Sequence, residues 1–196
     1  YLAIEGKLAA VICVEDPLRE EAADAVRELK EAGITKVVMM TGDSERTAAA
    51  IAKRVGVDEY YSEVLPEDKA SFVEKEKELG HKVIMIGDGI NDSLALSSAS
   101  VGIAISDGAA IAREIADVTI SADNLHEIVT LKRLSTALMK RIHNNYRTII
   151  GINGGLIALG VTGIIMPTTS ALLHNMSTLT ISLRSMRNLL PKEEEA

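Results

Sequence analysis

The sequence predicts an α/β fold, a parallel sheet with helices on both faces, followed by a helical hairpin. Three observations predict it. From Tyr1 to about His143, short apolar runs alternate with charged helical stretches. Near-continuous apolar strands of this kind belong to parallel sheets covered on both sides. From Thr148 to Leu183 there is no Asp, Glu, Lys or Arg, which is too long and too apolar for a surface element. This second stretch divides at Met166-Pro167-Thr168 into two segments, each near the roughly 20 residues that cross a bilayer.

The elements follow in order. Tyr1-Leu2-Ala3-Ile4 starts without Met and reads like the middle of a strand, so the chain is expected to begin partway through a larger protein. Leu8–Val14 is a short apolar strand broken by Asp16-Pro17. Arg19–Ala32 carries Ala22, Ala25, Val26 and Leu29 at helical spacing, and Gly33 ends it. Lys36–Met40 is the next strand and runs into Thr41-Gly42-Asp43. Ser44–Val55 and Glu67–Leu79 are helical, and Lys82–Ile86 is a strand. Ser100–Ile105 and Val118–Ile120 are shorter strands, and Asn124 to about Tyr146 is one long helix. The domains are expected at 1–143, at 144–190 as two transmembrane helices, and at 191–196 as a cytoplasmic tail. Lys140, Arg141 and Arg147 before the apolar pair and Arg184, Arg187 and Lys192 after it put both ends on the cytoplasmic side. Pro167 then lies near the outer turn of a multi-pass segment in a cell membrane.

Composition excludes some functions. A net charge of −7 argues against nucleic acid as a partner, because such binders show a basic face. Aromatics at 3% leave no stacking platform for single strands. The single cysteine, Cys13, lies in an apolar run; it can form no intrachain disulfide and reads as a small core residue.

The chemistry gathers at strand ends, where open parallel sheets bind ligands. Residues 82–96 read "KVIMIGDGINDSLAL". Asp88 sits just past its strand and Asp92 in the first helical turn beyond, so both carboxylates meet at one mouth. Such hard oxygen donors suit Mg²⁺, which takes one or two carboxylates plus substrate phosphate. Asn91 can donate into the same mouth, and Gly87 and Gly89 allow close backbone approach. The blander role for Asp92 is a helix cap, but a cap alone does not call for two acids, an Asn and two glycines. Thr41 and Gly42 offer a hydroxyl and a bare N–H at a helix start, an anion cradle, with Asp43 beside them. Lys69, in "LPEDKASF", is a surface charge unless it points at this mouth, where it would clamp phosphate. No nucleophile or base is evident near these tips. Asp16 is the remaining acid at a strand end, and Pro17 follows it.

Four motifs in this order, "DPLREEAADAVRELKEAGI", "VVMMTGD", "LPEDKA" and "VIMIGDGINDSLAL", resemble the second half of the phosphorylation domain of P-type ATPases, of haloacid-dehalogenase type. "SVGIAISDGAAIAREIADVTI" and the apolar pair are similar to the heavy-metal-transporting branch. The resemblance implies that ATP phosphorylates an aspartate in a DKTGT motif, which is then hydrolysed. Thr41 and Gly42 would hold the phosphoryl group, Lys69 would neutralise it, Asp88 would bind Mg²⁺, and Asn91 and Asp92 would support that site. Asp16 and Pro17 match a DPxR element with a positioning role. The chain contains no DKTGT, so the nucleophile, the ATP-binding domain and earlier membrane helices are expected in a missing N-terminal portion of the same pump. One position departs from the family pattern: Ser93 stands where a proline is usual, and serine is tolerated in a first helical turn.

For the transported ion, the one ionisable residue within the apolar pair is His174, in "ALLHNMSTLTISLRSMRNLL". It falls where zinc-type pumps have Asp and copper-type pumps Met, and "HNMST" shares its first and last residues with the cobalt-type "HEGGT". Imidazole suits a divalent transition metal such as Zn, Cd, Co or Mn. Thr178, one turn along on the same face, with Ser177 and Asn153, would add oxygen ligands; Asn153 and Ser177 serve equally well as interhelical hydrogen-bond partners. The competing readings are a membrane-anchored regulator or fragment, and a phosphatase of the same fold. The phosphatase needs an Asp-x-Asp nucleophile motif, and none occurs.

Overall fold

The computed structural model describes residues 1–11, 18–87, 90–105, 114–120 and 124–190. Cys13, Asp16, Pro17, Asp88, Gly89 and the 191–196 tail lie outside the described residues. The chain divides into two compact units, Tyr1–Leu125 and His126–Ala196.

The first unit opens with an antiparallel hairpin, β1 (Leu2–Ile4) and β2 (Lys7–Ala10). Glu5 and Gly6 both take positive φ, 49° and 74°, as the two central residues of a tight hairpin turn must. The expected single strand from Leu8 to Val14 therefore begins earlier and turns back on the first residues. Helix α1 (Ala22–Glu31) buries Ala22 and Ala25 and ends before Gly33. Strand β3 (Val38–Met40) leads to α2 (Glu45–Val55), which buries Ala48, Ala52 and Val55 along one face. Gly56, at φ 78°, ends α2 in the left-handed conformation that costs glycine nothing. Strand β4 (Glu59–Tyr61) then pairs parallel with β3, Val38 opposite Glu59. Asp58 fastens this crossover: its carboxylate accepts from Lys30 Nζ and from the Val37 N–H, both at 2.7 Å. These two donors hold its carboxyl below the usual range.

Helix α3 (Pro66–Glu78) starts on Pro66, and the Asp68 carboxylate accepts from the Leu65 N–H at 3.2 Å. Strand β5 (Ile84–Gly87), a 3-10 turn (Ile90–Asp92) and α4 (Ser93–Ser98) follow. Strands β6 (Val101–Ile105) and β7 (Val118–Ile120) complete a second parallel sheet in the order β5-β6-β7. Val73, Ala95, Leu96, Ile103 and Ala104 form the core where α3 and α4 meet this sheet. A Cβ on Gly102 would lie 2.6 Å from the Leu96 carbonyl oxygen, so only glycine lets α4 lie this close to β6. Helix α3 also reaches the other sheet, Phe72 packing on Tyr61 at 5.1 Å between ring centroids. The expected single parallel sheet is thus two among the described residues. β3 pairs with β4 and β5 with β6, and among the described residues no strand joins the two pairs.

The second unit is a helical hairpin, α5 (His126–Val161) and α6 (Pro167–Ser185). The long helix runs unbroken past the boundary expected near residue 144, because no Gly or Pro interrupts 126–150. Arg141 closes the base of the hairpin. Its guanidinium donates to the carbonyls of Ser185 (2.9 Å), Arg187 and Asn188 (2.8 Å), where α6 ends. Asn145 adds a bond to the Ser185 hydroxyl at 2.7 Å.

The two expected membrane-crossing helices are not shown by the structure. Among the described residues, no helix is long and apolar enough to cross a membrane. The charge-free part of α5 ends at Val161, so it spans about 21 Å at ~1.5 Å per residue, against a hydrocarbon core of about 30 Å. The apolar run continues to Ile165, but as a turn rather than helix. In α6, Thr168, Thr169, Ser170, His174, Asn175, Ser177, Thr178, Thr180 and Ser182 dilute the apolar residues.

Candidate functional site

The site is built at the C-terminal tips of β3 and β5. Past β3, Thr41 is held by its backbone on both sides: its N–H donates to the Tyr61 carbonyl and its carbonyl accepts from the Val64 N–H, both 3.0 Å. Its hydroxyl donates to Asp43 at 2.7 Å and accepts from the Asp43 N–H at 3.1 Å. Asp43 thus orients Thr41. Space over Gly42 is open, since nothing lies within 4 Å of where a Cβ would stand. The α2 helix that begins beside this turn is braced by Glu45, which accepts from Ser62 at 2.6 Å and Tyr60 at 2.8 Å. The Ser62 hydroxyl, then that of Tyr60, hold the Glu45 carboxyl below the usual range.

Past β5, Asp92 closes the 3-10 turn and is buried, 8% exposed. Lys69, one turn into α3, donates to Asp92 Oδ1 at 2.8 Å. The side chains of the pair are 16% and 11% exposed, so this contact is made largely out of water. Gly87 makes room for it. A Cβ there would stand 2.6 Å from Asp92 Cβ and 2.8 Å from Asp92 Oδ2. The Asp92 carboxylate therefore rests against the bare backbone of β5 on one side and the ammonium on the other. Asn91 is exposed beside it.

The sequence-predicted residues divide accordingly. Lys69 and Asp92 are brought into contact, and Thr41, Gly42 and Asp43 share one turn. Asp88 lies outside the described residues. The donors at this mouth, a carboxylate and an amide, are the hard oxygen type that suits Mg²⁺. Among the described residues there is no cluster of three or more His, Cys, Asp or Glu. Donors of this kind fit Mg²⁺, which binds through one or two carboxylates together with phosphate and water. A cavity of about 270 Å³ opens at the ends of β3 and β4, walled by Met40, Tyr61, Glu63, Asp68 and Phe72. No sequence pattern marks this cavity, and Glu63 in its wall takes a positive φ of 52°.

In the second unit, His174 and Asn153 meet at 2.9 Å, His174 Nδ1 to Asn153 Oδ1. Both line a groove of about 660 Å³ shared with Leu156, Gly160, Ser170 and Asn175. Ser177 and Thr178, expected as further ion ligands, do not line it. Both hydroxyls donate to the His174 carbonyl, at 2.8 and 3.1 Å. Ser170 and Asn175 take their place in the groove. The four-residue step from Ser170 to His174 was the available sequence signal for the first.

Residues 2–100 match the family of haloacid dehalogenase-like hydrolases. The chain is 37% identical over 187 residues to the zinc-exporting P-type ATPase of Mycobacterium marinum, covering 95% of this chain and 26% of that one. It is 44% identical over 173 residues to copper-transporting ATPase 2 of Rhizobium meliloti, covering 88% and 21%. A crystal structure of a zinc-transporting PIB-type ATPase in the E2.Pi state superposes with a TM-score of 0.83 at 34% identity, over 90% of this chain and 29% of that chain. The chain spans about a quarter of the length of the curated relatives it matches.

Proposed function

This chain belongs to the haloacid dehalogenase-like hydrolases, and on that premise we propose that it is the phosphate-handling part of an ATP-driven transition-metal transporter. The pump works through an aspartyl phosphate. The observation that carries the reading is the Lys69–Asp92 pair at 2.8 Å, closed over Gly87 at a strand tip. A shielded ammonium at the ligand end of a parallel sheet is a device for neutralising phosphoryl oxygens. The γ-phosphoryl of ATP passes to a carboxylate with release of ADP, and water then cleaves the acyl phosphate to carboxylate and inorganic phosphate. Thr41, oriented by Asp43, and Gly42 hold phosphoryl oxygens, and Lys69 offsets their charge. Asp88, supported by Asn91 and Asp92, would hold Mg²⁺, which would supply further charge neutralisation.

The accepting aspartate, in a DKTGT segment, is contributed by a portion of the same pump outside this chain. The support for that assignment is the absence of a DKTGT motif from the sequence, which otherwise carries the remaining motifs of the phosphate site in order. The helical hairpin lies in the bilayer among further helices, with both ends cytoplasmic. Its support is the charge-free stretch 148–183 and the exposure of its apolar side chains, Val161 at 84% and Ile164 at 69%. His174 takes the transported ion, a divalent transition metal, in the groove between α5 and α6. In the pump containing this chain, Asp92→Asn should abolish ATP turnover with or without metal. His174→Ala should leave basal turnover within about twofold and cut metal stimulation at least ~10-fold. Equal loss of basal turnover in both variants would contradict this division of labour.

A further inference from the structure

The His174–Asn153 contact carries more than a meeting of two polar groups. It joins an imidazole Nδ1 on α6 to an amide oxygen on α5, 2.9 Å apart. An amide oxygen only accepts hydrogen bonds, so this bond requires a proton on Nδ1. A neutral imidazole protonated at Nδ1 has its lone pair on Nε2. The hydroxyls of Ser177 and Thr178 do not compete for this assignment. Ser177 and Thr178 donate to the His174 backbone carbonyl, not to its ring. The register that creates the contact is set elsewhere in the hairpin. Arg141 and Asn145 fix α6 against α5 at Ser185, about three turns from His174 along α6.

We infer that Asn153 is a positioning residue rather than an ion ligand: it holds His174 as the Nδ1–H tautomer and leaves Nε2 to bind a divalent transition metal in the groove. The inference rests on the proposed ion site for the metal, and on the geometry alone for the tautomer. Metal-binding histidines commonly donate their second ring nitrogen to an oxygen, which fixes the ring and raises the basicity of the coordinating nitrogen. Asn153 is placed to accept such a bond, and its loss should weaken metal binding about 10- to 100-fold.

The test is nitrogen NMR of the pump containing this chain in detergent micelles, with ¹⁵N-labelled histidine, at mildly alkaline pH, His174 being assigned by comparison with the His174→Ala variant. The expected result is Nδ1 protonated and Nε2 unprotonated at His174. Asn153→Leu should lose this tautomer, and Asn153→Asp, which keeps an oxygen acceptor, should restore it. Added Zn²⁺ should shift Nε2 of His174, with affinity lowered in the Leu variant and recovered in the Asp variant. A wild-type ring protonated at Nε2, or a tautomer unmoved by Asn153→Leu, overturns the inference. A tautomer that follows Asn153 while Zn²⁺ leaves Nε2 unmoved overturns the ion site on which the inference rests and retains the Asn153–His174 bond.

Discussion

Gly87→Ala is expected to lower turnover of the pump at least ~100-fold, with a stability loss of about 1–3 kcal/mol. The added methyl would stand 2.6 Å from Asp92 Cβ and 2.8 Å from its Oδ2. Asp92 cannot answer by swinging a flexible tip away, because the first clash is with its Cβ, next to the backbone. Relief therefore has to move the 3-10 turn of residues 90–92, and with it the carboxylate that meets Lys69. The effect is asymmetric: a displacement of about 1 Å is modest in packing energy but large for groups that must contact phosphoryl oxygens. Thermal denaturation and steady-state ATP hydrolysis on the same preparation separate the two. An alanine variant with wild-type turnover would mean that the placement of Asp92 against β5 has no part in the chemistry.

Lys69→Met should destabilise the first unit by about 2 kcal/mol and reduce turnover at least ~100-fold. Methionine keeps the length and apolar stem of lysine, so the change removes charge with little loss of packing. It leaves a carboxylate 11% exposed without its cation. The stability cost comes from that orphaned charge rather than from the net strength of the pair. The double variant Lys69→Met with Asp92→Leu should therefore recover most of the lost stability and none of the turnover. If the double variant were as unstable as the sum of its singles, Lys69 and Asp92 would be energetically independent, and the orphaned charge would not be the source of the stability loss.

Much of the fold was legible because α1 and α2 bury residues at helical spacing, α3 is a long charged stretch opening on Pro66, and β3, β5, β6 and β7 are apolar runs. Strand β4 was not, because Glu59-Tyr60-Tyr61 becomes a strand through its parallel pairing with β3, a tertiary event without a local signature. The β1–β2 hairpin was written in Glu5-Gly6, a two-residue turn that was passed over in favour of the longer apolar run beyond it. Composition changes near residue 144, yet α5 continues, because a shift from charged to apolar residues breaks no helical hydrogen bond. The same blindness affected the apolar pair: counting uncharged residues ignores where the helix stops, at Val161. At the site, motif order foretold the residue types, but only the fold could say that Lys69 turns inward to Asp92 across 23 positions of sequence. The local bonds of Ser177 and Thr178 were not legible as such in the sequence. Hydroxyls inside a helix readily donate to the carbonyl three or four residues back, and both do.

The central claim is that this chain prepares a phosphate site for an aspartate it does not itself contain. The measurement that tests it most directly is phosphopeptide mapping of the complete pump that includes these 196 residues. The protein is given ATP carrying a radiolabelled γ-phosphate, quenched in acid and digested, and the hydroxylamine-labile label is located. The account predicts label on a peptide outside residues 1–196, at levels changed by Lys69→Met and Asp92→Asn. Label on an aspartate within residues 1–196 would contradict it.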